Sequence, residues 1–439
     1  MFKVNHHEQT TIYEFFKNLG GNRMSSMDKV IKKENKGAIS TVGKSAVWLM
    51  IVGIVFIAAN LRAPLTSVGP IVGLIKDDMN ISNTMAGMVT TLPLLAFALF
   101  SPIVPKLGQK LGVERIILGS IVLLTVGIII RSLSGVVALY IGTAVLGLAI
   151  SVGNVLLPGL IKREFPERIG LMTGVYSISM NLFGAMASGV SVPIALGMGF
   201  GWKGALGIWG VLSFISILFW LPQMKHRNEK RDTAHNKTAD SHVNLWGSAL
   251  AWQVTLFMGL QSMIFYVLVA WLPEILKQQG LNSSQSGLML SVMLLALLPF
   301  TFIVPVIAGR MSGQRSLVTI TSILLLIGTI GLLYGSSKLI VLWIIALGIG
   351  GGFAFSLSMM FFGLRTRNAQ QAAELSGMAQ SIGYLLAAVG PTLFGFIHDA
   401  TNSWTIPLLI LVGASVLLFV CGLGAARERY IGPAKQYNI

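Results

Sequence analysis

Long apolar runs separated by short polar segments constrain the fold of this chain more than any other feature. We place twelve of them, at approximately residues 47–75, 84–104, 115–130, 136–160, 170–196, 203–222, 246–275, 284–308, 315–335, 339–362, 372–396 and 404–425. Most approach or exceed the roughly 20 residues that a helix needs to cross hydrocarbon. Because lipid offers no hydrogen-bond partners, each segment has to satisfy its own backbone groups, and barrel strands would be shorter and alternating. The sequence therefore predicts an all-α membrane protein with twelve transmembrane helices.

Composition excludes an ordinary soluble protein. The chain is 54% hydrophobic and 11% charged, against roughly 25% charged in soluble domains. A soluble protein of this kind would expose large apolar patches. The single cysteine, Cys421, lies in the last apolar run and cannot form an internal disulfide.

The placement of the basic residues explains the net charge of +16 without a nucleic-acid partner. Of the 32 Lys and Arg residues, 26 fall in the segments on the side of the N-terminus and five in the segments on the other side. Cytoplasmic loops of membrane proteins are enriched in Lys and Arg. Both termini are therefore predicted to be cytoplasmic, and the protein is predicted to lie in the cytoplasmic (inner) membrane.

The longest polar stretch between runs, residues 223–245, divides the runs six and six. The predicted domains are a polar, disordered tail (1–45), a first six-helix half (46–222), a cytoplasmic linker (223–245), a second six-helix half (246–426) and a cytoplasmic tail (427–439). Residues 87–105 and 287–305 share eight identities in 19 positions, among them Gly87/Gly287 and Pro105/Pro305. Parallel repeats of this kind are typical of alternating-access carriers of the major facilitator type, whose substrate site lies near mid-membrane between the halves.

Arg62 is the strongest candidate for a functional residue. It lies midway along the first run, roughly 20 Å from either end at 1.5 Å per residue. A charge at this depth is costly and is expected to face a cavity or a partner. Since no Asp or Glu lies centrally in another run, Arg62 favours an anionic or electron-rich substrate held by forked hydrogen bonds. A purely structural arginine is the alternative.

Other polar residues within the runs complete the predicted substrate site. Each could instead serve interhelical hydrogen bonding, which is common in membrane bundles. The candidates are Asn60, Thr66, Asn154, Ser177, Asn181, Gln261, Tyr266, Gln380 and Tyr384.

No enzyme motif stands out. Five of the six histidines lie in the tail or the linker, and none has a metal-ligand spacing with Cys or acidic residues. The prediction is a carrier without cofactor or metal that binds a small molecule and acts as a monomer in the bilayer. Coupling to a proton or a counter-ion stays open, and a membrane receptor or sensor is the alternative from another functional class.

Two motifs resemble a known family. Asn60-Leu-Arg-Ala-Pro-Leu-Thr-Ser-Val-Gly-Pro70 resembles the first span of the cyanate/nitroimidazole (CynX/NimT-type) branch of the major facilitator superfamily. Gly153-Asn-Val-Leu-Leu-Pro158, followed by Lys162-Arg163 and Phe165-Pro166, is similar to its fourth span. The resemblance covers residues 47–426.

The resemblance implies small anionic or heteroaromatic substrates. With Arg62, a cyanate-like anion is the first expectation, and efflux of nitroimidazole-like or other toxic compounds is the alternative. One position departs from the superfamily pattern: Gln109 stands where the loop between the second and third spans usually carries Asp. The charge pair that this loop usually makes is therefore in doubt.

Overall fold

The computed structural model describes residues 44–81, 83–133, 135–224 and 244–432, and these fold into helices joined by short turns. The α-helices are α1 (Lys44–Asn60), α2 (Ala63–Thr66), α3 (Val72–Met79), α4 (Asn83–Phe100), α5 (Val104–Leu111), α6 (Val113–Arg131), α7 (Val136–Glu164), α8 (Ile169–Val192), α9 (Gly201–Gly207), α10 (Trp209–Trp220), α11 (Ala249–Gln278), α12 (Ser283–Ala308), α13 (Arg315–Tyr334), α14 (Ile340–Leu364), α15 (Ala369–Thr401) and α16 (Thr405–Ala425). Five further turns among the described residues are 3₁₀ or π-helical: Gly69–Ile71, Pro166–Arg168, Pro193–Gly197, Leu221–Met224 and Ser337–Leu339.

The membrane spans follow the apolar runs. Among the described residues, 11 helices are long and apolar enough to cross a membrane, and a bent pair makes a twelfth span. That pair joins Met88–Phe100 to Val104–Leu111 at an angle of 59°, where Pro102 and Pro105 supply no backbone N–H. The predicted all-α membrane fold is therefore confirmed.

Asparagines set several helix boundaries. Asn282 begins α12 with a capping box, in which its side chain accepts from Gln285 N at 2.8 Å and Gln285 Oε1 accepts from Asn282 N at 3.2 Å. Asn368 caps α15 through Gln371 N, at 2.8 Å, while Gln371 Oε1 accepts from Arg367 N at 2.9 Å. Asn402 ends α15 in a left-handed conformation, with φ of 50°, which asparagine tolerates better than most residues.

The two halves of the chain meet along pairs of helices. We call residues 44–224 the first half and residues 244–432 the second half. Helix α8 of the first half packs on α12 of the second, and α4 and α7 pack on α15. The pairing of α4 with α15 repeats that of α12 with α8 when the halves are exchanged, as expected for repeats.

Glycines bring these helices close together. A Cβ at Gly377 in α15 would lie 2.7 Å from the carbonyl oxygen of Ser101. A Cβ at Gly170 in α8 would overlap the carbonyl oxygen of Pro305 in α12, next to Gly309. Real Cβ atoms do not approach backbone so closely, so these crossings require residues without side chains.

Polar contacts join the halves at the same end of the helices. Lys162 at the end of α7 donates to the carbonyl oxygens of Gly363 and Thr366, and we call this contact the Lys162 latch. Gln109 Nε2 donates to Glu374 Oε1 at 2.8 Å. Gln109, which lies in α5, therefore joins the halves through its amide group. We call this end of the helices the linker face, because α10 runs into Leu221–Met224 there, just before residues 225–243.

Arg365 organises the second half beside the latch. Its guanidinium donates to the carbonyl oxygen of Ala425 at 2.6 Å and to the side chain of Gln314, while its own carbonyl accepts from Ile431 N at 2.9 Å. Burial lowers the pKa of Arg365 to about 10, against the opposing effects of Tyr430 and Glu428. The guanidinium is therefore cationic at neutral pH.

The proposed domain boundaries stay a prediction. The tail up to residue 43, linker residues 225–243 and residues 433–439 lie outside the described residues.

Candidate functional site

The first span is interrupted where Arg62 stands. Pro64 has no N–H to donate to the Asn60 carbonyl, so the helical hydrogen-bond ladder cannot continue there. Arg62 leaves the helical conformation, with φ of −128° and ψ of −39°, and the short helix α2 starts after it. Its carbonyl then accepts from the amides of Leu65 and Thr66, both at 3.0 Å. The first span is therefore broken at this point.

Helix α8 holds the side chain of Arg62. A Cβ at Gly184 would lie 2.9 Å from Arg62 Cγ, so the aliphatic stem crosses α8 where that helix has no side chain. One turn earlier, Asn181 Oδ1 accepts from Arg62 Nη1 at 2.7 Å. The Asn181 amide group in turn donates to the Ser177 carbonyl at 2.8 Å. The carboxamide thus turns its oxygen toward the cation.

Two aromatic rings of the second half flank the guanidinium. The Cζ atom of Arg62 lies 5.3 Å from the ring centroid of Phe265 in α11 and 5.8 Å from that of Phe355 in α14. Both distances fall within the range of cation–π attraction, worth about 0.5–2 kcal/mol per contact. The Arg62 guanidinium of the first half therefore contacts the faces of two phenyl rings of the second half.

A cavity lies at this junction of the two halves. Its lining combines one cation, several hydrogen-bonding groups and aromatic or apolar surface: Arg62, Asn181, Met258, Gln261, Ser262, Phe265, Tyr266, Leu297, Phe355 and Tyr384. No carboxylate is among these lining residues. The space open to a water-sized molecule is about 20 Å³, close to what one water needs. A solute can enter only when the surrounding helices move apart.

Five of the ten predicted site residues lie together in this lining: Arg62, Asn181, Gln261, Tyr266 and Tyr384. They come from α8, α11, α15 and the break in the first span. Their sequence separation is large, and the packing of the two halves brings them together.

Of the other five predicted residues, which lie outside this lining, four join one helix to another. Asn60 Nδ2 donates to Ser216 Oγ at 2.7 Å, and Thr66 Oγ1 donates to the Gly184 carbonyl at 2.7 Å. Ser177 is fully buried, and its carbonyl is the one that orients Asn181.

Asn154 and Gln380 make a bond between the halves. Gln380 Nε2 donates to the Asn154 carbonyl at 2.8 Å and to Ser376 Oγ at 2.7 Å. Both residues are buried. Their contact ties α7 to α15.

Sequence analysis did not name the other five lining residues: Met258, Ser262, Phe265, Leu297 and Phe355. Phe265 had a usable signal, because it lies one helical turn beyond Gln261 on the same face of α11. Phe355 follows the glycine-rich part of α14 in an apolar stretch, where an aromatic residue does not stand out.

The profile of the Major Facilitator Superfamily matches residues 48–391. An uncharacterised transporter, YycB, of Bacillus subtilis (strain 168) is 49% identical over 393 residues, covering 89% of this chain and 96% of that protein. A 2-nitroimidazole transporter of Escherichia coli (strain K12) is 40% identical over 392 residues, covering 89% and 98%. The cyanate transport protein CynX of the same organism is 26% identical over 373 residues, covering 84% and 96%.

Solved transporters share the fold. The proton:xylose symporter XylE, bound to 6-bromo-6-deoxy-D-glucose, matches with a TM-score of 0.68 at 12% identity, over 88% of this chain and 98% of that chain. The transporter FucP in its outward conformation matches with a TM-score of 0.67 at 11% identity, over 86% and 98%.

Proposed function

Since the chain belongs to the Major Facilitator Superfamily, we propose that it carries a small planar solute with an anionic or nitro group. It is a multi-pass membrane protein of the nitroimidazole/cyanate type and not an enzyme. Transport proceeds by alternating access, with the two halves opening the Arg62 cavity to one side and then the other. The membrane is the cytoplasmic membrane of a bacterium, and the linker face is on the cytoplasmic side.

The observation that carries this proposal is the setting of Arg62. Its guanidinium lies in a cavity between the halves, is flanked by two phenyl rings and has no carboxylate in the lining. An uncompensated cation in a low-dielectric site favours a ligand that brings negative charge density. The rings and the Tyr266 and Tyr384 phenols add surface on which a flat ring can stack. An aromatic or heteroaromatic ring with a carboxylate or nitro group satisfies both requirements.

A small linear anion such as cyanate is the second candidate. The cation without a carboxylate favours it, and so does the similarity to the cyanate transport protein. It would leave the aromatic lining without a role. For this reason we place the heteroaromatic solute first, although Arg62 alone had favoured a small anion.

Ligand-induced thermal stabilisation of the purified protein tests the proposal. The panel is 2-nitroimidazole, imidazole as the same ring without the nitro group, and cyanate. We expect 2-nitroimidazole to raise the melting temperature and imidazole to raise it much less, because imidazole offers the guanidinium no nitro oxygens. Stabilisation by cyanate alone would favour the second candidate.

Substitutions at Arg62 identify the group that the solute contacts. Arg62→Lys keeps the charge but loses the planar fork, and Arg62→Ala loses both. A charge-assisted hydrogen bond is worth about 1.5–3 kcal/mol, so Arg62→Ala should weaken binding about 10- to 100-fold, with Arg62→Lys between. Lys338→Ala, which removes an exposed cation far along the chain, is the control. Binding retained in Arg62→Ala would make Arg62 structural.

A further inference from the structure

Besides the partly buried Arg62, the first half holds a fully buried arginine. Arg131, the last residue of α6, is 0% exposed, although it is one of the five basic residues that the sequence places in segments on the side away from the N-terminus. A Cβ at Gly142 would overlap its backbone, so α6 and α7 are in close contact at this point. The guanidinium is thus inside the protein.

Its position matters because of what it binds. Arg131 Nη1 donates to the carbonyl oxygen of Pro64 at 2.8 Å. That carbonyl is free because the Val68 amide bonds to Leu65 O, at 3.4 Å, in place of Pro64 O. Ser67 Oγ donates to the same oxygen at 3.2 Å. Arg131 therefore donates to a carbonyl oxygen, that of Pro64, which has no helical N–H donor because the first span is broken there.

Few other groups compensate this cation. The Nε and Nη2 atoms of Arg131 have no hydrogen-bond partner among the described residues, and the ion pairs found in that part of the chain do not include it. Burying an unpaired guanidinium costs free energy. A methionine would fill similar volume at lower cost, so packing alone does not account for an arginine here.

The bond lies two residues from Arg62. Helix α2 is fixed on one side by Thr66, which bonds to the Gly184 carbonyl of α8, and on the other side by Arg131 of α6. Together these contacts set the conformation of the turn from which Arg62 enters the cavity.

We propose that Arg131 is a positioning residue: by binding the Pro64 carbonyl it holds the break in the first span open, so that Arg62 presents its guanidinium to the solute. This rests on the proposed function for the role of Arg62. The structural part of the proposal is that Arg131 holds the break open, and this part does not depend on any ligand.

Hydrogen exchange of the purified protein tests whether Arg131 holds the break in the first span open. In Arg131→Met, the amides of Leu65 to Ile71 should exchange several-fold faster than in the wild type, while those of α13 should not change. Arg131→Lys, which keeps a cationic donor, should lie between. Arg115→Met removes an exposed arginine from the other end of α6 and should leave residues 65–71 unaffected. Unchanged exchange in Arg131→Met would overturn the proposal.

A double-mutant cycle with 2-nitroimidazole as the probe tests the link to Arg62. Arg131→Met should weaken its binding about tenfold in the wild-type background and not at all in the Arg62→Ala background, because residues acting through one another are not additive. A further loss in the double variant would overturn the positioning role.

Two outcomes separate this proposal from the proposed function. If the wild type does not bind 2-nitroimidazole, the preferred solute fails, and hydrogen exchange still decides the role of Arg131. If Arg131→Met does not fold, Ser67→Ala removes the other donor to the same carbonyl. The double variant Ser67→Ala/Arg131→Lys should then exchange the amides of residues 65–71 faster than Ser67→Ala alone. Equal exchange rates in these two variants would overturn the proposal.

Discussion

At the scale of single residues, the site depends on a glycine as much as on the arginine. Gly184 lets the stem of Arg62 lie across α8, and Asn181 one turn away receives its guanidinium. Neither contact involves a formal negative charge. The cation is therefore oriented without being neutralised, as the proposed binding of a solute requires.

Gly184→Ala should displace Arg62, because the new Cβ would lie 2.9 Å from Arg62 Cγ. Overpacking costs about 1–3 kcal/mol, and alanine returns about 0.5–1 kcal/mol of helix stability. We expect a small change in melting temperature and a clear loss of solute affinity. Gly189→Ala is the control, since a Cβ there meets nothing within 4 Å. Equal affinity in the two variants would remove the steric role of Gly184.

Asn181→Asp should place a carboxylate against Arg62 with little change in shape. The ion pair would compete with any solute that binds through negative charge density, so affinity should fall about tenfold or more while thermal stability is kept. Isothermal titration with the stabilising solute measures the first effect and thermal unfolding the second. Asn402→Asp, at the exposed end of α15, is the matched control. Tighter binding in Asn181→Asp would contradict an anionic or nitro ligand.

The sequence indicated Arg62 and Asn181 but not the two phenylalanines beside the guanidinium, for physical reasons. A charge deep in an apolar run is costly and therefore conspicuous, whereas Phe265 and Phe355 are ordinary residues for a membrane span. For Arg131 the sequence could not show which way the side chain turns, because a residue at the end of a run can face either the loop or the helix bundle. Only the packing of α6 against α7 shows that it turns inward.

At the scale of helices, broken and closely packed segments position the site. The bounds of the spans could be predicted within a few residues, since run length and hydropathy determine them; the predicted run 315–335 is α13, Arg315–Tyr334. The 59° bend of the second span was not predicted, because proline shows where a helix can bend but not by how much.

Gly170→Val should prevent the close crossing of α8 and α12, since even a Cβ there would overlap the Pro305 carbonyl. The linker face should then stay open. A cysteine at Ser376, which is fully buried between the halves, reports this through its reaction with a maleimide in a Cys421→Ser background. We expect slow labelling without Gly170→Val and several-fold faster labelling with it. Gly189→Val should leave the rate low, and slow labelling in both variants would show that the crossing does not close this face.

At the scale of the whole molecule, the linker face is closed by contacts between the halves while the cavity lies between them. The Lys162 latch and the bond between Gln109 and Glu374 join the halves at that face. The proposed alternating-access cycle requires these contacts to break and reform. Sequence repeats predicted two related halves, but they could not show which contacts the closed face would use.

Cysteine labelling tests the orientation predicted from the basic residues. Ser316, on the linker face at the start of α13, and Ser336, beyond the other end of that helix, are both exposed. In a Cys421→Ser background, an impermeant maleimide added to intact cells should label Ser336→Cys and not Ser316→Cys. Labelling of both after lysis shows that each thiol is reactive. The reverse pattern in intact cells would overturn the cytoplasmic assignment of the linker face.

The acceptors of the Lys162 latch are main-chain oxygens, those of Gly363 and Thr366. A main-chain carbonyl remains whatever residue position 366 carries, whereas the ammonium group exists only while position 162 is lysine. A substitution at position 366 therefore leaves the acceptor of this bond in place, whereas a substitution at position 162 removes the donor. Thr366 is itself fully buried, so side-chain size should limit the residues that a selection for transport returns at position 366. At position 162 the loss of the donor should limit them.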